Sequence, residues 1–171
     1  MSKHLLISLF AMGFGTGLLK PAPGTWGSLL AAIIFVVLLQ WYAFDFLLFW
    51  VIFTFVGGIW LCDQFIVDDK HHDPGEVVWD EMVGFWFACL FLPGDMSADA
   101  FVLWIVLIFV LFRIFDIAKP FPINRIDLHV TGGLGIMLDD IVAGLFAGVL
   151  SWILYRIYYG LPFDMSAVSL Y

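Results

Sequence analysis

The chain of 171 residues is 63% hydrophobic and only 13% charged, and its formal net charge is −8. A soluble domain is about half apolar and about a quarter charged, so this composition excludes an ordinary soluble fold and predicts an integral membrane protein. The acidic balance argues against a nucleic-acid partner, because phosphate backbones are bound by clustered Lys and Arg side chains. No polar linker divides the chain, so we expect residues 1–171 to form a single membrane domain, and no obligate protein partner is evident.

Long apolar runs predict an all-α membrane bundle of about five membrane-embedded helices. A helix needs about 20 residues to cross a hydrocarbon core of about 30 Å. The predicted helices cover residues 27–44, 46–62, 76–92, 101–119 and 138–159. Pro93 ends the third helix and Pro120 ends the fourth. Residues 4–19 are expected to form an amphipathic or a re-entrant helix, and the sequence leaves this choice open.

The distribution of charge predicts which ends of the helices face the cytoplasm. With five crossings, the basic residues that fall on one side are Lys3, Lys20, Lys70, Lys119 and Arg125. The residues on the other side are mainly acidic, namely Asp45, Asp95, Asp99 and Asp164. Because cytoplasmic loops are enriched in Lys and Arg, we expect the basic side and the N-terminus to face the cytoplasm.

Acidic residues are concentrated where a membrane protein can least accommodate them. Eleven of the fifteen acids lie in two blocks, residues 63–81 and 116–140, and both blocks adjoin apolar runs. A carboxylate at the centre of a membrane helix costs about 2.5 to 3.5 kcal/mol on insertion scales. Acids placed there need a cation as a partner, and a divalent metal ion is the obvious candidate.

Two acidic pairs are the strongest candidates for a metal site. Asp80 and Glu81 are expected to open the third helix, and Asp139 and Asp140 are expected to open the fifth, all at the cytoplasmic end. Mg²⁺ prefers oxygen ligands and is usually held by a few carboxylates together with water and substrate phosphate. The alternative is that both pairs are ordinary acids at helix N-termini, stabilised by the macrodipole.

A cationic segment ends the predicted fourth helix. Arg113, Asp116 and Lys119 recur at every third position and therefore lie on one side of that helix. The guanidinium fork of Arg and the point charge of Lys suit phosphate oxygens, so we expect Arg113 and Lys119 to bind an anionic head group. The alternative is that both side chains snorkel to the membrane surface, with Arg113 also paired to Asp116.

Three glycine-rich segments adjoin predicted helix starts. They are GFGTG at residues 13–17, PAPGTWGS at 21–28 and TGGLG at 131–135. Backbone amides in such turns can bind phosphate. The candidate substrate-binding residues here are Thr25, Ser28, Gly132 and Gly133. Glycines equally allow close packing of membrane helices, and the sequence alone leaves both interpretations open.

Four longer segments share their order and spacing with a known family. They are GFGTGLLKPAPGTWGSL, PGEVVWDEMVG, RIFDIAKPFPI and GGLGIMLDDIVAG, and together they span residues 13–144. In these segments the chain resembles the bacterial phosphatidylglycerophosphatase A family. The resemblance implies a Mg²⁺-dependent, all-helical phosphatase of the bacterial inner membrane. It also implies a reaction in which phosphatidylglycerophosphate in the bilayer loses its terminal phosphate to give phosphatidylglycerol.

For such a reaction we expect a Mg²⁺-activated water as the nucleophile. The sequence has neither the CxxxxxR loop of cysteine phosphatases nor the DxDx(T/V) segment of aspartyl phosphatases. The expected metal ligands are Asp80, Glu81, Asp139 and Asp140, and Asp116 completes the predicted catalytic set as a further ligand or base. Arg113 and Lys119 would bind the phosphate.

Two other functions remain open from the sequence. One is a phosphatase that acts on a different phospholipid monoester, because head-group choice depends on pocket shape. The other is a divalent-cation transporter, because membrane carboxylates also mark ion pathways. A phosphatidyltransferase of the CDP-alcohol type is disfavoured, because its DGxxAR segment is absent from the sequence.

Overall fold

The computed structural model describes residues 3–68, 75–94 and 96–162, and this part of the chain is helical, without β-strands. It contains seven α-helices and one short 3-10 helix. The elements are α1 (Lys3–Ala11), the 3-10 helix (Gly13–Leu18), α2 (Pro23–Leu39), α3 (Phe44–Asp68), α4 (Trp79–Cys89), α5 (Ala98–Ala118), α6 (Ile123–His129) and α7 (Gly132–Tyr159). The predicted all-α membrane bundle is therefore confirmed.

The helices differ in their ability to cross a membrane. Three are long and apolar enough to do so, namely α3, α5 and α7, whereas α2 is a shorter apolar helix. α4 has 11 residues and is about 16 Å long at 1.5 Å per residue, only about half of a hydrocarbon core. The third predicted helix is thus shorter than the range 76–92. Most of its residues are buried, so α4 lies at the centre of the bundle.

Glycines bring α4 and α7 into close contact. A Cβ atom added to Gly84 would lie 2.6 Å from the carbonyl oxygen of Asp140, and one added to Gly144 would clash with the carbonyl oxygen of Gly84. Small residues allow membrane helices to approach in this way. The contact sets the start of α4 beside the acidic segment of α7.

The N-terminal segment supports the start of α4. The carbonyl of Ala11, the last residue of α1, accepts a hydrogen bond of 3.0 Å from the amide of Val78. Gly17 lies against the backbone carbonyl of Glu76, so no larger residue fits there. Residues 4–19 thus fall into two short helical pieces, α1 and the 3-10 helix. The GFGTG sequence packs against α4 and does not line the candidate site.

Several helix ends differ from the predicted ones. α3 continues to Asp68 instead of ending at residue 62, α7 begins at Gly132 instead of 138, and α6 was not predicted. Asp45 and Asp99 lie in the first turns of α3 and α5, while Lys119 follows the last residue of α5, so Asp99 and Lys119 lie at opposite ends of α5. Three other residues used to predict the orientation lie outside the described residues, namely Lys70, Asp95 and Asp164.

Candidate active site

One cavity collects the predicted catalytic residues. It has a volume of about 350 Å³ and lies where α5 ends and where α4 and α7 begin. Six carboxylates and one lysine belong to its lining, namely Asp80, Glu81, Asp116, Asp127, Asp139, Asp140 and Lys119. The structure therefore brings together all five acids predicted from the sequence, although they come from three different helices.

The acidic pair of α7 lies deeper than the sequence predicts. Because α7 begins at Gly132, Asp139 and Asp140 lie about two turns inside the helix and do not open it. Their exposed fractions are 6% and 3%. The negative charges that act on Asp140 are those of Asp116, Asp80, Asp139 and Glu81. A bound cation would compensate this concentration of buried negative charge.

The acidic pair of α4 lies in the first turn of that helix, as predicted. Negative charge is favourable there, because the unpaired backbone amides of a helix N-terminus carry partial positive charge. Gly24 of α2 lies directly over the Glu81 side chain, since a Cβ atom added at Gly24 would overlap the Glu81 carboxylate. α2 thereby fixes one side of the site.

Arg113 holds two of the site carboxylates. Its Nη1 atom lies 3.2 Å from Oε1 of Glu81 and 2.7 Å from Oδ2 of Asp116. All three side chains are largely buried, where a charge-assisted hydrogen bond such as that from Arg113 to Glu81 is strong. Arg113 does not line the cavity, so its guanidinium orients Glu81 and Asp116 from behind the wall.

Lys119 is the cation that lines the cavity wall. Its Nζ atom lies 2.7 Å from Oδ1 of Asp127 and 2.7 Å from Oδ2 of Asp139. Its backbone is left-handed, with φ +41°, which ends α5 and turns the chain into α6. Burial lowers the pKa of Lys119, but the hydrogen bonds and negative charges of Asp127 and Asp139 outweigh it and raise the pKa above its usual value. The ammonium group is therefore charged at neutral pH.

The donor set of the cavity fits a hard divalent cation. Oδ1 of Asp139 is buried and accepts no hydrogen bond within the described part of the chain. Among the described residues, no three His, Cys, Asp or Glu side chains already converge as a metal-binding group. Mg²⁺ commonly relies on one or two carboxylates and completes its shell with water and substrate phosphate, so an open, oxygen-rich site of this kind suits it.

The predicted phosphate-binding residues are not all at the cavity. Gly132 lines it, whereas the amide of Gly133 donates a hydrogen bond to Oδ1 of Asp63. Ser28 is buried in α2, and its hydroxyl donates to the carbonyl of Gly24 at 2.8 Å. Thr25 belongs to the first turn of α2 and is absent from the cavity lining.

Three residues near the site are absent from the predicted set of site residues, namely Gly24, Asp63 and Asp127, although Gly24 belongs to the PAPGTWGS segment. Asp127 reaches the cavity because α6 folds back after Lys119, and the spacing of eight residues between these two charges was the available signal. Asp63 and Gly133 contact each other although they are 70 residues apart in the sequence. Gly24 of α2 lies over the Glu81 side chain of α4. Such long-range contacts leave no local pattern in a sequence.

The fold and the site define a membrane-embedded helical protein with an acidic cavity, closed on one side by a lysine, at one end of the bundle. The chain belongs to the phosphatidylglycerophosphatase A family, whose model, described as "Phosphatidylglycerophosphatase A", matches residues 9–155. It thus matches over most of its length, as the resemblance of the four segments predicts.

Curated relatives agree with this assignment. A Haemophilus influenzae protein named phosphatidylglycerophosphatase A is 43% identical over 82% of this chain and 83% of its own length. An Escherichia coli protein of the same name is 44% identical over 85% of this chain and 81% of its own length. A Bacteroides thetaiotaomicron protein named putative phosphatidylinositol-3-phosphatase is 40% identical over 83% of this chain and 89% of its own length. No solved structure matches the chain.

Proposed function

We propose that the protein hydrolyses the terminal phosphate ester of phosphatidylglycerophosphate, giving phosphatidylglycerol and inorganic phosphate. The observation that carries this proposal is the meeting of six carboxylates with Lys119 in one cavity of a phosphatidylglycerophosphatase A family member. The names of the Haemophilus influenzae and Escherichia coli relatives support the same substrate. Phosphate monoester hydrolysis needs charge neutralisation and a positioned nucleophile, and the cavity offers groups for both tasks.

We assign the metal ion to Asp80, Glu81, Asp139 and Asp140. Bound Mg²⁺ would supply charge neutralisation to the phosphate oxygens and increase the acidity of water at the site. The buried acceptor oxygen of Asp139 and the mutual repulsion of the carboxylates around Asp140 support this assignment, because a bound cation would satisfy both. The first-turn position of Asp80 and Glu81 sets them opposite the α7 pair.

The remaining residues bind the phosphate and move the proton. Lys119 donates hydrogen bonds to a phosphate oxygen once it leaves Asp139 or Asp127. Asp116, oriented by Arg113, accepts a proton from the attacking water, whose oxygen forms the new bond to phosphorus. The bond between phosphorus and the glycerol oxygen breaks, and Asp116 returns the proton it took from the water to that oxygen as phosphatidylglycerol leaves. Arg113 acts through Glu81 and Asp116 rather than on the phosphate directly.

We place the cavity on the cytoplasmic face of the bacterial inner membrane. Lys119 and Arg125 lie near the cavity end of the bundle, and cytoplasmic loops favour such residues. Asp45 and Asp99 begin α3 and α5 at the opposite end. The substrate phosphate then enters the cavity from the membrane surface while its acyl chains stay in the bilayer.

A second candidate is hydrolysis of another phospholipid monoester. The Bacteroides thetaiotaomicron relative supports this second candidate, because that protein is named putative phosphatidylinositol-3-phosphatase and matches 83% of the chain. A cation transporter has less support. Fully buried side chains such as Met82, Phe85 and Phe112 fill the interior of the bundle next to the acids, around the contact between α4 and α7.

The test is phosphate release by the detergent-purified protein in mixed micelles. The substrates are phosphatidylglycerophosphate, phosphatidic acid and phosphatidylinositol 3-phosphate, each assayed with Mg²⁺ and with EDTA. We expect Mg²⁺-dependent release with a clear preference for phosphatidylglycerophosphate. Preference for another lipid would favour the second candidate, and no release from any lipid by folded protein would contradict a phosphatase. Full activity after EDTA treatment and gel filtration would remove the metal from the proposal.

A further inference from the structure

We propose that an apolar groove between α5 and α7 binds one acyl chain of the lipid whose phosphate occupies the cavity. This inference rests on the proposed function, because it assumes that the substrate is a phospholipid. The groove has a volume of about 470 Å³, and its lining is formed by Phe115, Leu145, Phe146, Val149, Leu150 and Ile153. We call it the α5–α7 groove.

The α5–α7 groove borders the polar cavity at the end of α5, where Phe115 lines the groove and Asp116 lines the cavity. On α7, Phe146 and Leu150 follow Asp139 by seven and eleven residues, so at about 100° per residue they lie within about 20° of it around the helix axis. On α5, the amide of Lys119 donates a hydrogen bond to the carbonyl of Phe115. Asp139 of the Lys119–Asp139 ion pair therefore lies on the same side of α7 as the groove residues Phe146 and Leu150, and on α5 the groove residue Phe115 lies one turn before Lys119.

An aromatic contact marks the boundary between the two regions. The rings of Phe115 and Phe146 meet edge to face, with centroids 5.6 Å apart. Phe115 precedes the cavity residue Asp116 in the sequence, so α5 contributes neighbouring residues to the groove and to the cavity. A lipid with its phosphate beside Lys119 would meet these rings with the part of the molecule next to its head group.

The length of the groove along α7 fits within one leaflet of a bilayer. From Phe146 to Ile153 the helix rises about 10 Å at 1.5 Å per residue, and half of a hydrocarbon core is about 15 Å. Leu145 and Val149 remain 38% and 37% exposed, so the groove is open to the surrounding lipid at these two positions. A chain can therefore enter sideways while its head group enters the cavity.

Two other apolar grooves of the described bundle are less well placed relative to the Lys119–Asp139 pair. One includes Ile141 and Phe87, but Ile141 lies about 200° from Asp139 around α7 and so on the opposite face. The other includes Gln40 and Pro93 and adjoins the start of α5, about 30 Å along that helix from Lys119. Neither can hold a chain whose phosphate lies beside the Lys119–Asp139 pair.

Filling the groove provides the kinetic test. Val149→Trp inserts a large ring there, and Val106→Trp makes the same change at an exposed position of α5 outside the three grooves. Both variants are assayed on dioleoyl and dioctanoyl phosphatidylglycerophosphate. Because lipid tails are as apolar as the groove, only packing is lost, and we expect a KM increase of about three- to tenfold for the dioleoyl substrate. The turnover number and the KM for the dioctanoyl substrate should change less, and Val106→Trp should resemble the wild type.

A binding experiment tests the groove independently of turnover. Phosphatidylglycerophosphate with a photoreactive diazirine in one acyl chain is crosslinked to the wild-type protein and to Val149→Trp, and the labelled peptides are mapped. We expect labelling within residues 145–153 that excess phosphatidylglycerophosphate suppresses, that phosphatidylcholine leaves unchanged, and that Val149→Trp reduces.

The outcomes separate the groove from the reaction. Specific groove labelling without phosphate release would support the groove and contradict the proposed reaction. Phosphate release combined with equal suppression by phosphatidylcholine would contradict the groove, because it would then hold bulk lipid. Equal kinetic effects of Val149→Trp and Val106→Trp, or no effect of either, would also contradict it.

Discussion

Nζ of Lys119 lies 2.7 Å from Oδ2 of Asp139 and joins the end of α5 to an acidic residue about two turns inside α7. The same atom contacts Asp127 of α6. One ammonium group therefore links three helices around the cavity. It neutralises part of the acidic wall, and in the proposed reaction it turns towards the substrate phosphate.

Removing this ammonium group should impair substrate binding and turnover. Methionine has a Cβ atom, as lysine does, so Lys119→Met leaves the energetic cost of the left-handed backbone conformation unchanged. The variant therefore tests the loss of the positive charge. We expect kcat/KM for phosphatidylglycerophosphate to fall about 100-fold. Arg125→Met is the matched control, because Arg125 is an exposed cation of α6 that does not line the cavity. A similar loss in both variants would indicate a general effect of surface charge.

The raised pKa of Lys119 gives a prediction for alkaline pH. Because the carboxylates raise this pKa in the folded protein, the ion pair stabilises the fold fully below the usual lysine pKa of about 10.4. The stabilisation is lost only as pH rises through the higher folded value. Any decline in activity between pH 7 and pH 9.5 should therefore have the same midpoint in the wild type and in Lys119→Arg, whose side chain stays charged. A decline that disappears in Lys119→Arg would show that Lys119 titrates there.

The α7 acids should be required for turnover and dispensable for folding. Asp139→Asn and Asp140→Asn keep the side-chain volume and remove one proposed metal ligand each, so we expect activity to fall at least about 100-fold. Asp99→Asn changes an exposed acid in the first turn of α5, at the opposite end of that helix. It should retain near-normal activity. If both purified α7 variants remain active, this pair has no part in the mechanism.

The sequence predicts which segments are helical more accurately than it predicts where each helix begins and ends. Long apolar runs predict α2, α3, α5 and α7, because only a helix satisfies its own backbone within a bilayer. The start of α7 depends on a contact that is distant in sequence, since Asp63 of α3 accepts a hydrogen bond from Gly133. This contact favours helix at residues 132–137, where glycine content alone predicts a turn.

The sequence predicts which acidic residues belong to the candidate site better than it predicts how these residues are arranged. The acidic pairs stand out because charge beside apolar runs is costly. The pairing of Arg113 with Glu81 spans 32 residues, so sequence spacing could relate Arg113 only to Asp116. Asp127 lies in a short helix without an apolar pattern, and its role depends on how the chain turns after Lys119.

Gly24 should matter for activity more than for stability. A Cβ atom at this position would overlap Oε1 of Glu81, and that carboxylate can move aside because it ends a flexible side chain. We expect Gly24→Ala to lower kcat/KM about tenfold and to leave thermal unfolding nearly unchanged. Gly57→Ala is the matched control, because a Cβ atom there meets no other atom within 4 Å and alanine is the better helix former by about 1 kcal/mol. A large loss of thermal stability in Gly24→Ala would instead place its role in packing.

Asp63 should act as an N-cap supplied by another helix. Its carboxylate accepts a hydrogen bond from Gly133 in the first turn of α7, where Thr131 makes no side-chain cap of its own. Asp63→Ala should lower stability by about 1–2 kcal/mol, the usual cost of losing a cap, whereas Asp63→Asn keeps an acceptor oxygen and should cost less. Asp45→Ala removes a first-turn acid of α3 and controls for loss of charge.

Hydrogen exchange distinguishes this capping role from a general loss of stability. Because the cap protects the start of α7, amides in residues 131–135 should exchange faster in Asp63→Ala than in the wild type or in Asp45→Ala. Amides near Gly144, where α7 packs against α4, should be affected less. Uniformly faster exchange along α7 would mean that Asp63 supports the packing of the whole helix, and unchanged exchange at residues 131–135 would contradict the capping role. Since Gly132 lines the cavity, confirmed fraying at this end should be accompanied by reduced phosphate release.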